Sequence, residues 1–294
     1  IALYNAKILA KKAPPGAKIS VLVCEGTTAQ IDWLIPIWKE QTGIDVEYLT
    51  VPLYDLPVKM MEEAVAKSGV YDALIHICEY IPDAVEAGLA KDIDPWVEKY
   101  QCELWNWPAP YSGGHYQKTV QYMGKNYQVI WDGCLWNAFY RSDYLDDPDE
   151  QRAFESEHGY PLPIWGADTW SQLYDMMKFF HRPEEVQKLT GLKGITGGWW
   201  FRTKEESSDV LLIKLVSKGG VYFDDDMNAM VDSPEGIAAL EDMKKETEFL
   251  PEIAIAGTWT DMYADFPAGK NFSAFSWTSL GKWSPMGAIK GRYK

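Results

Sequence analysis

The chain has 294 residues, 24% of them charged, with 14 tryptophans and a formal net charge of −15. A chain of this length accommodates two domains, and a 47% hydrophobic content is enough for packed cores without disulfides or metals. The acidic balance argues against nucleic acid, whose phosphates call for basic patches, and no apolar run reaches the ~18 residues needed to span a bilayer.

Taken in order, the N-terminal IALYNAKILAKK lacks the apolar core of a signal peptide, as expected of a cytoplasmic chain or a mature exported one. ISVLVCEG is a buried-strand run ending in Gly26. TTAQIDWLIPIWKEQTG follows as a helix that Thr27 or Thr28 can cap and Gly43 stops; Pro36 predicts a kink or a late start. IDVEYLTV is the second strand, LPVKMMEEAVAKSG the second helix and YDALIHICEYI the third strand. This alternation predicts parallel strands with right-handed crossovers, whose ligands sit beyond the carboxyl ends of the strands. That places Glu25, Gly26, Thr27, Glu79 and Tyr80 at a candidate site.

Residues 100–124, rich in Trp, Pro, Tyr and Gly, read as loop, and NYQVIWDGCLWNAFYRSDYL as a long apolar strand-like run. Beyond Asp146 the pattern predicts a helix over 169–180, a strand and turn in GLKGITGGWW, and a helix in SSDVLLIKLVSKGG stopped by Gly219 and Gly220. A hairpin and a last helix follow, with Ser233 as N-cap and Pro234 at the first position.

Catalytic signatures are scarce: the sequence holds no GxSxG, HExxH or Walker loop. The four histidines are scattered, and His76 reads as a satisfied core or rim residue. Asp224, Asp226, Asn228, Asp232 and Glu235 have the oxygen spacing of a calcium loop. Ala229 at the position that needs Gly, together with the helix start at Ser233, favours a turn followed by an N-cap. No cofactor is expected. Cys24 and Cys78 close the first and third strands, neighbours ~4.8 Å apart in a 2-1-3 sheet, where either a disulfide or two buried thiols fit; Cys134 could approach if it faces the same way.

Several ordered segments resemble the extracellular solute-binding proteins of carbohydrate ABC importers, a family related to maltose-binding protein. ISVLVCEG with EQTGIDVEY resembles the family's first strand and F-E-x-x-T-G-I-x-V signature. SGVYDALIHICEYIPDAVEAGLAKDID resembles its third strand, and GKNYQVIWDGCLWNAFYRSDYL its y-G-l-P-x-d-g-d…Y-R-x-D-L stretch. HGYPLPIWGADTWSQL resembles G-Y-x-L-P-x-P-x-T-W-x-E-l, SKGGVYFDD…VDSPEGIAAL resembles G-G-x-y-f-d…d-S-P-E-a-x-x-A-L, and DFPAGKNFSAFSWTSLG resembles F-x-x-G-k-x-A-m-x-x-x-W.

The resemblance implies an α/β, type II periplasmic-binding-protein fold: an N-terminal lobe over residues 1–130, a C-terminal lobe over 131–294, a hinge crossing within Ile130–Asn137, and solute between the lobes. Family chains run on for roughly half as much again, so it also implies that the C-terminal part of the fold, with the returning segments of both lobes, is missing from this sequence. The implied role is a monomeric periplasmic or otherwise extracytoplasmic receptor that binds a small solute, a sugar or polyol, and delivers it to the transmembrane subunits of a permease. No nucleic acid partner is expected.

By the same resemblance Glu79 takes sugar hydroxyls, the hinge strand offers Trp131, Asp132 and Trp136, and the second lobe offers Trp199, Trp200, Arg202 and Trp277, with Trp277 as the main stacking platform. Cys134 stands where the family often has an acidic residue. Two other readings fit the residues: a cationic solute caged by Trp faces and carboxylates, and a glycan-active enzyme using Glu79 and Asp132 as its pair.

Overall fold

Seven residues rich in β-branched and aliphatic side chains, Lys18–Cys24, form β1, whose last four positions are buried. It pairs in parallel with β2 (Asp45–Val51) over its whole length, Lys18 opposite Asp45 through Cys24 opposite Val51. On its other side it pairs with β3 (Ala73–Leu74), giving the order β2-β1-β3. The computed structural model describes residues 2–28, 31–100, 119–130, 135–204 and 206–294. The chain divides into two compact units, Ile1–Gly133 and Cys134–Lys294.

In unit 1, α1 (Ala2–Ala10) precedes β1, and α2 (Leu34–Thr42) and α3 (Leu56–Ala66) are the crossovers. The late start of α2 places Pro36 in its first turn, where no intrahelical partner is needed for its missing N–H. Gly43 ends the helix at φ 75°, and its N–H bonds the Lys39 carbonyl. The third strand is much shorter than its apolar run predicts. After Ile75 N–H reaches the Leu22 carbonyl, the chain turns into a 3₁₀ turn at Cys78–Tyr80 and then α4 (Ile81–Glu86), which begins with Pro82 in its first turn. Proline favours that start and cannot continue a ladder. Helix α5 (Asp94–Tyr100) and the hairpin β4 (Gln121–Tyr122) with β5 (Lys125–Asn126) complete the unit. Its core is Leu22, Leu56, Met60 and Ala84.

Unit 2 is built on an antiparallel pair, β6 (Trp136–Tyr140) with β9 (Ser273–Trp277). Around it lie α6 (Ser142–Leu145), α7 (Pro148–His158), α8 (Trp170–Phe179), the hairpin β7 (Arg182–Val186) and β8 (Lys193–Ile195), α9 (Ser207–Ser217), α10 (Pro234–Thr247), α11 (Trp259–Ala268) and α12 (Leu280–Trp283). The segment after β8 lies along β9 in parallel, with Trp199 opposite Ala274. Capping follows the sequence: Thr169 accepts from Gln172 N–H at the start of α8, and Ser233 from Gly236 N–H at the start of α10. Gly197 passes so close under α8 that a Cβ would lie 2.0 Å from the Met177 carbonyl oxygen, so only glycine fits. The acidic stretch expected as turn and N-cap has that form. Phe223 bridges Ala229, Met227 takes a positive φ, and the Asp224 carboxylate accepts from Asp226 N–H and from Asn228. Among the described residues, no group of three or more His, Cys, Asp or Glu side chains is placed to hold a metal ion.

Candidate functional site

The β6–β9 register puts Trp136 directly opposite Trp277, Ala138 opposite Phe275 and Tyr140 opposite Ser273. Alternation places these six side chains on one face, and a slip of one residue would turn them all to the other. At the end of the ribbon the two indoles meet with ring centroids 4.8 Å apart at 46°. Thr278 N–H donates to the Leu135 carbonyl just beyond and holds the end closed. Both rings are half-buried. Phe201, fully buried, supports them from behind, edge-on to Trp136 at 5.9 Å and tilted under Trp277 at 5.6 Å. Such pairs contribute ~0.5–1.5 kcal/mol each beyond burial, so the platform is held by its own ring contacts.

Beneath it the stack continues. Trp136 lies on Phe275 at 5.4 Å, and small Ala138 across the ribbon leaves room for that ring. Phe275 is nearly parallel to Trp200, 4.3 Å away at 9°. Trp170 meets Trp200 at 5.8 Å, and the buried Lys214 ammonium sits 3.8 Å from the Trp170 centroid and 5.1 Å from that of Trp200. Lys214 Nζ donates to Glu246 at 2.6 Å, and Arg202 reaches the same carboxylate at 3.3 Å. Burial pulls the Lys214 and Arg202 pKa values down and pushes that of Glu246 up. The three charges share one desolvated spot.

This arrangement separates the expected site residues of unit 2. Trp136 and Trp277 come together and stay half-buried. Trp199 and Trp200 are instead core residues, 0% and 1% exposed, because the chain before them runs along β9 and turns both indoles into the packing. Arg202 is also committed internally, to Thr247 Oγ1, the Phe201 and Met243 carbonyls and Glu246. Trp131, Asp132 and Cys134 lie outside the described residues. Phe275, Phe201, Trp170 and Lys214 were not singled out from the sequence. Of these only Phe275 carries a local signal, two residues before Trp277 on the same strand face.

In unit 1 the β2-β1-β3 order brings the turns after β1 and β3 to the carboxyl end of one sheet. Glu25 and Gly26 are exposed there, and Thr27 donates to the Cys24 carbonyl at 2.7 Å. Glu79 is exposed in the 3₁₀ turn with Tyr80, and the Cys78 thiol lies 3.4 Å from its Oε2. Cys24 and Cys78 are free thiols; burial, with Glu79 beside it, pushes Cys78 up to about 11, which keeps it protonated and unreactive. His76 hydrogen-bonds the Ile77 carbonyl at 2.8 Å, and burial lowers its pKa, in keeping with a neutral rim histidine.

Several solved structures share this fold. One is an ABC transporter solute-binding protein from Agrobacterium radiobacter K84 in complex with ribitol: TM-score 0.76, 20% identity, 95% of this chain and 65% of that one. The fold is that of ABC transporter solute-binding proteins. A second such protein, from Agrobacterium vitis S4 with bound D-mannitol, gives a TM-score of 0.72 at 16% identity over 95% of this chain and 63% of that one. Maltose-bound MalE3 of T. maritima gives 0.69 at 19% identity over 95% and 66%. The chain thus spans about two thirds of the length of these solute-binding proteins. No family model and no curated protein matches it. Among the described residues no helix is long and apolar enough to cross a membrane.

Proposed function

We propose that the chain is the solute-binding receptor of an ABC importer, working outside the cytoplasm, and that it holds a sugar or polyol without transforming it and passes it to the permease. The observation that carries this reading is the Trp136–Trp277 pair: two half-buried indoles at 4.8 Å, both packed against Phe201, on the fold of solute-binding proteins. A tryptophan face offers a flat apolar surface to the C–H face of a sugar. The exposed carboxylates of Glu25 and Glu79 can accept hydroxyl protons in charge-assisted bonds. Gly26, Thr27, Tyr80, Trp131 and Asp132 stay within this reading as further candidates. Trp199, Trp200 and Arg202 act behind the platform.

The test is a thermal-shift panel of monosaccharides, oligosaccharides, polyols, choline and putrescine, followed by calorimetry. A sugar or polyol should raise the melting temperature, and Trp277→Ala should weaken its binding about tenfold or more through lost stacking and burial. A shift with choline or putrescine alone would replace the solute class. Turnover of an aryl glycoside that disappears in Glu79→Gln would replace a receptor with an enzyme.

A further inference from the structure

We propose that Lys214 is a positioning residue of the solute site: its buried ammonium orders the ring stack that sets the tilt of the Trp136–Trp277 pair. This rests on the receptor reading above and adds to it a group that touches no solute. Lys214 is fully buried, and its charge is costly to desolvate; an apolar side chain of similar length would fill the same space without that cost. What the charge adds is direction. A cation is drawn to the face of an indole, so an ammonium 3.8 Å from the Trp170 centroid and 5.1 Å from that of Trp200 favours one orientation of each ring.

The two indoles depend on it differently. The Trp170 N–H donates to Ser217 Oγ at 2.6 Å, and that hydroxyl donates in turn to the Lys214 carbonyl, so Trp170 and Lys214 are tied to one turn of α9. The buried Trp200 N–H has no hydrogen-bond partner among the described residues. The orientation of that indole is therefore left to its ring contacts and to the ammonium. Trp200 lies flat on Phe275, and Trp170 meets the same phenyl ring at 6.5 Å and 70°. Phe275 is thus held on one face by one indole and from a second side by the other, and both answer to Lys214. Trp136 rests on Phe275 at 5.4 Å and meets Trp277 beyond it. Every link from Lys214 Nζ to the platform is a direct contact, and it runs through Phe275.

The test combines Lys214→Met with Glu246→Gln. Lys214→Met alone would leave a buried carboxylate short of its partner and could unfold unit 2. The double substitution removes one positive and one negative charge together, and Arg202 keeps its bonds to Thr247 Oγ1 and to the Phe201 and Met243 carbonyls. Calorimetry on the full chain with ribitol, D-mannitol, D-glucose and maltose should show the affinity of those that bind reduced about fivefold in the double variant, while urea titration shows it folded. Phe275→Leu should itself bind more weakly. Adding the double substitution to it should change affinity little further, because effects that pass through one contact do not add. Ser233→Ala, which lowers stability by removing a helix cap, should bind as the parent does. Parental affinity in the double variant, the same loss recurring in full on Phe275→Leu, or a comparable loss in Ser233→Ala would overturn the positioning role and leave the receptor reading standing. Absence of binding by all four solutes to the unsubstituted protein would overturn both.

Discussion

In unit 1 the buried cluster comprises Leu22, Leu56, Met60 and Ala84, edged by half-buried Val51, Tyr71 and Leu74. In unit 2 it runs from Phe139 through Phe180, Trp199, Trp200, Phe266 and Phe272 to Ile289, and it encloses Lys214 and Arg141 as well. Unit 1 leaves Trp33, Val58 and Val65 at 64%, 57% and 85% exposure. The two units differ in the size of the buried cluster and in sheet type, parallel in unit 1 and antiparallel in unit 2, while unit 2 also leaves large apolar side chains exposed, Trp165 at 83% and Met227 at 72%. Unit 2 has rings to spare and can leave two or three of them at its surface on a rigid backing. Unit 1 instead presents polar strand-end turns, where backbone position counts for more than packing depth.

The comparison can be tested by substitution, followed in each case by urea titration. Phe272→Ala should have the largest effect: the ring is fully buried, stacked 4.0 Å from Phe180, and its loss should cost about 3–5 kcal/mol. Lys214→Ala should cost about 3 kcal/mol by leaving Glu246 short of a partner in a buried place, with Arg202 softening the loss. Leu22→Ala should cost about 2 kcal/mol, less than Phe272→Ala, because the thin core around it can close in. A larger cost for Leu22 than for Phe272 would break the contrast between the units. Ser233→Ala, removing the N-cap of α10, should cost about 1 kcal/mol.

The smallest effect is that of acid. The Asp92 carboxyl in unit 1 is held below its usual range by Lys125, Asp147 in unit 2 by the Asp149 N–H, and Asp224 by the Asn228 side chain. Each folded pKa is depressed, so each contribution is present at neutral pH and is lost as pH falls through the folded value. Melting temperatures should therefore decline modestly between about pH 5 and about pH 3. A flat profile over that range would remove these contacts from the account.

Much of this fold was legible in local sequence. Gly43 and Ser233 act as stop and cap where their neighbours said they would, because capping depends on three or four adjacent residues, whereas the cap expected at Thr27 or Thr28 gave way to a start at Leu34 with Trp33 as N-cap. Parallel pairing followed from strand–helix alternation and handedness, while the 2-1-3 order was only supposed in weighing Cys24 against Cys78 and was fixed by the structure. The third strand was overread, since an apolar run cannot show where pairing ends and Pro82 takes the chain into a helix. The turn at Asp224–Asn228 and the N-cap at Ser233 formed where the stretch of turn formers and the helix start predicted them.

The sequence by itself determined that two α/β units would form and that tryptophan would be plentiful enough to line a surface. Which tryptophans do so was decided only by the tertiary structure. Trp199 and Trp200 share a dipeptide, yet both are buried, while Trp136 and Trp277, 141 positions apart by subtraction of their numbers, meet at 4.8 Å. Strand alternation tells only that neighbouring side chains point to opposite faces. What covers each face depends on strands and helices brought from distant parts of the chain, and here Lys214, Trp170 and Phe275 cover one indole and leave another at the surface.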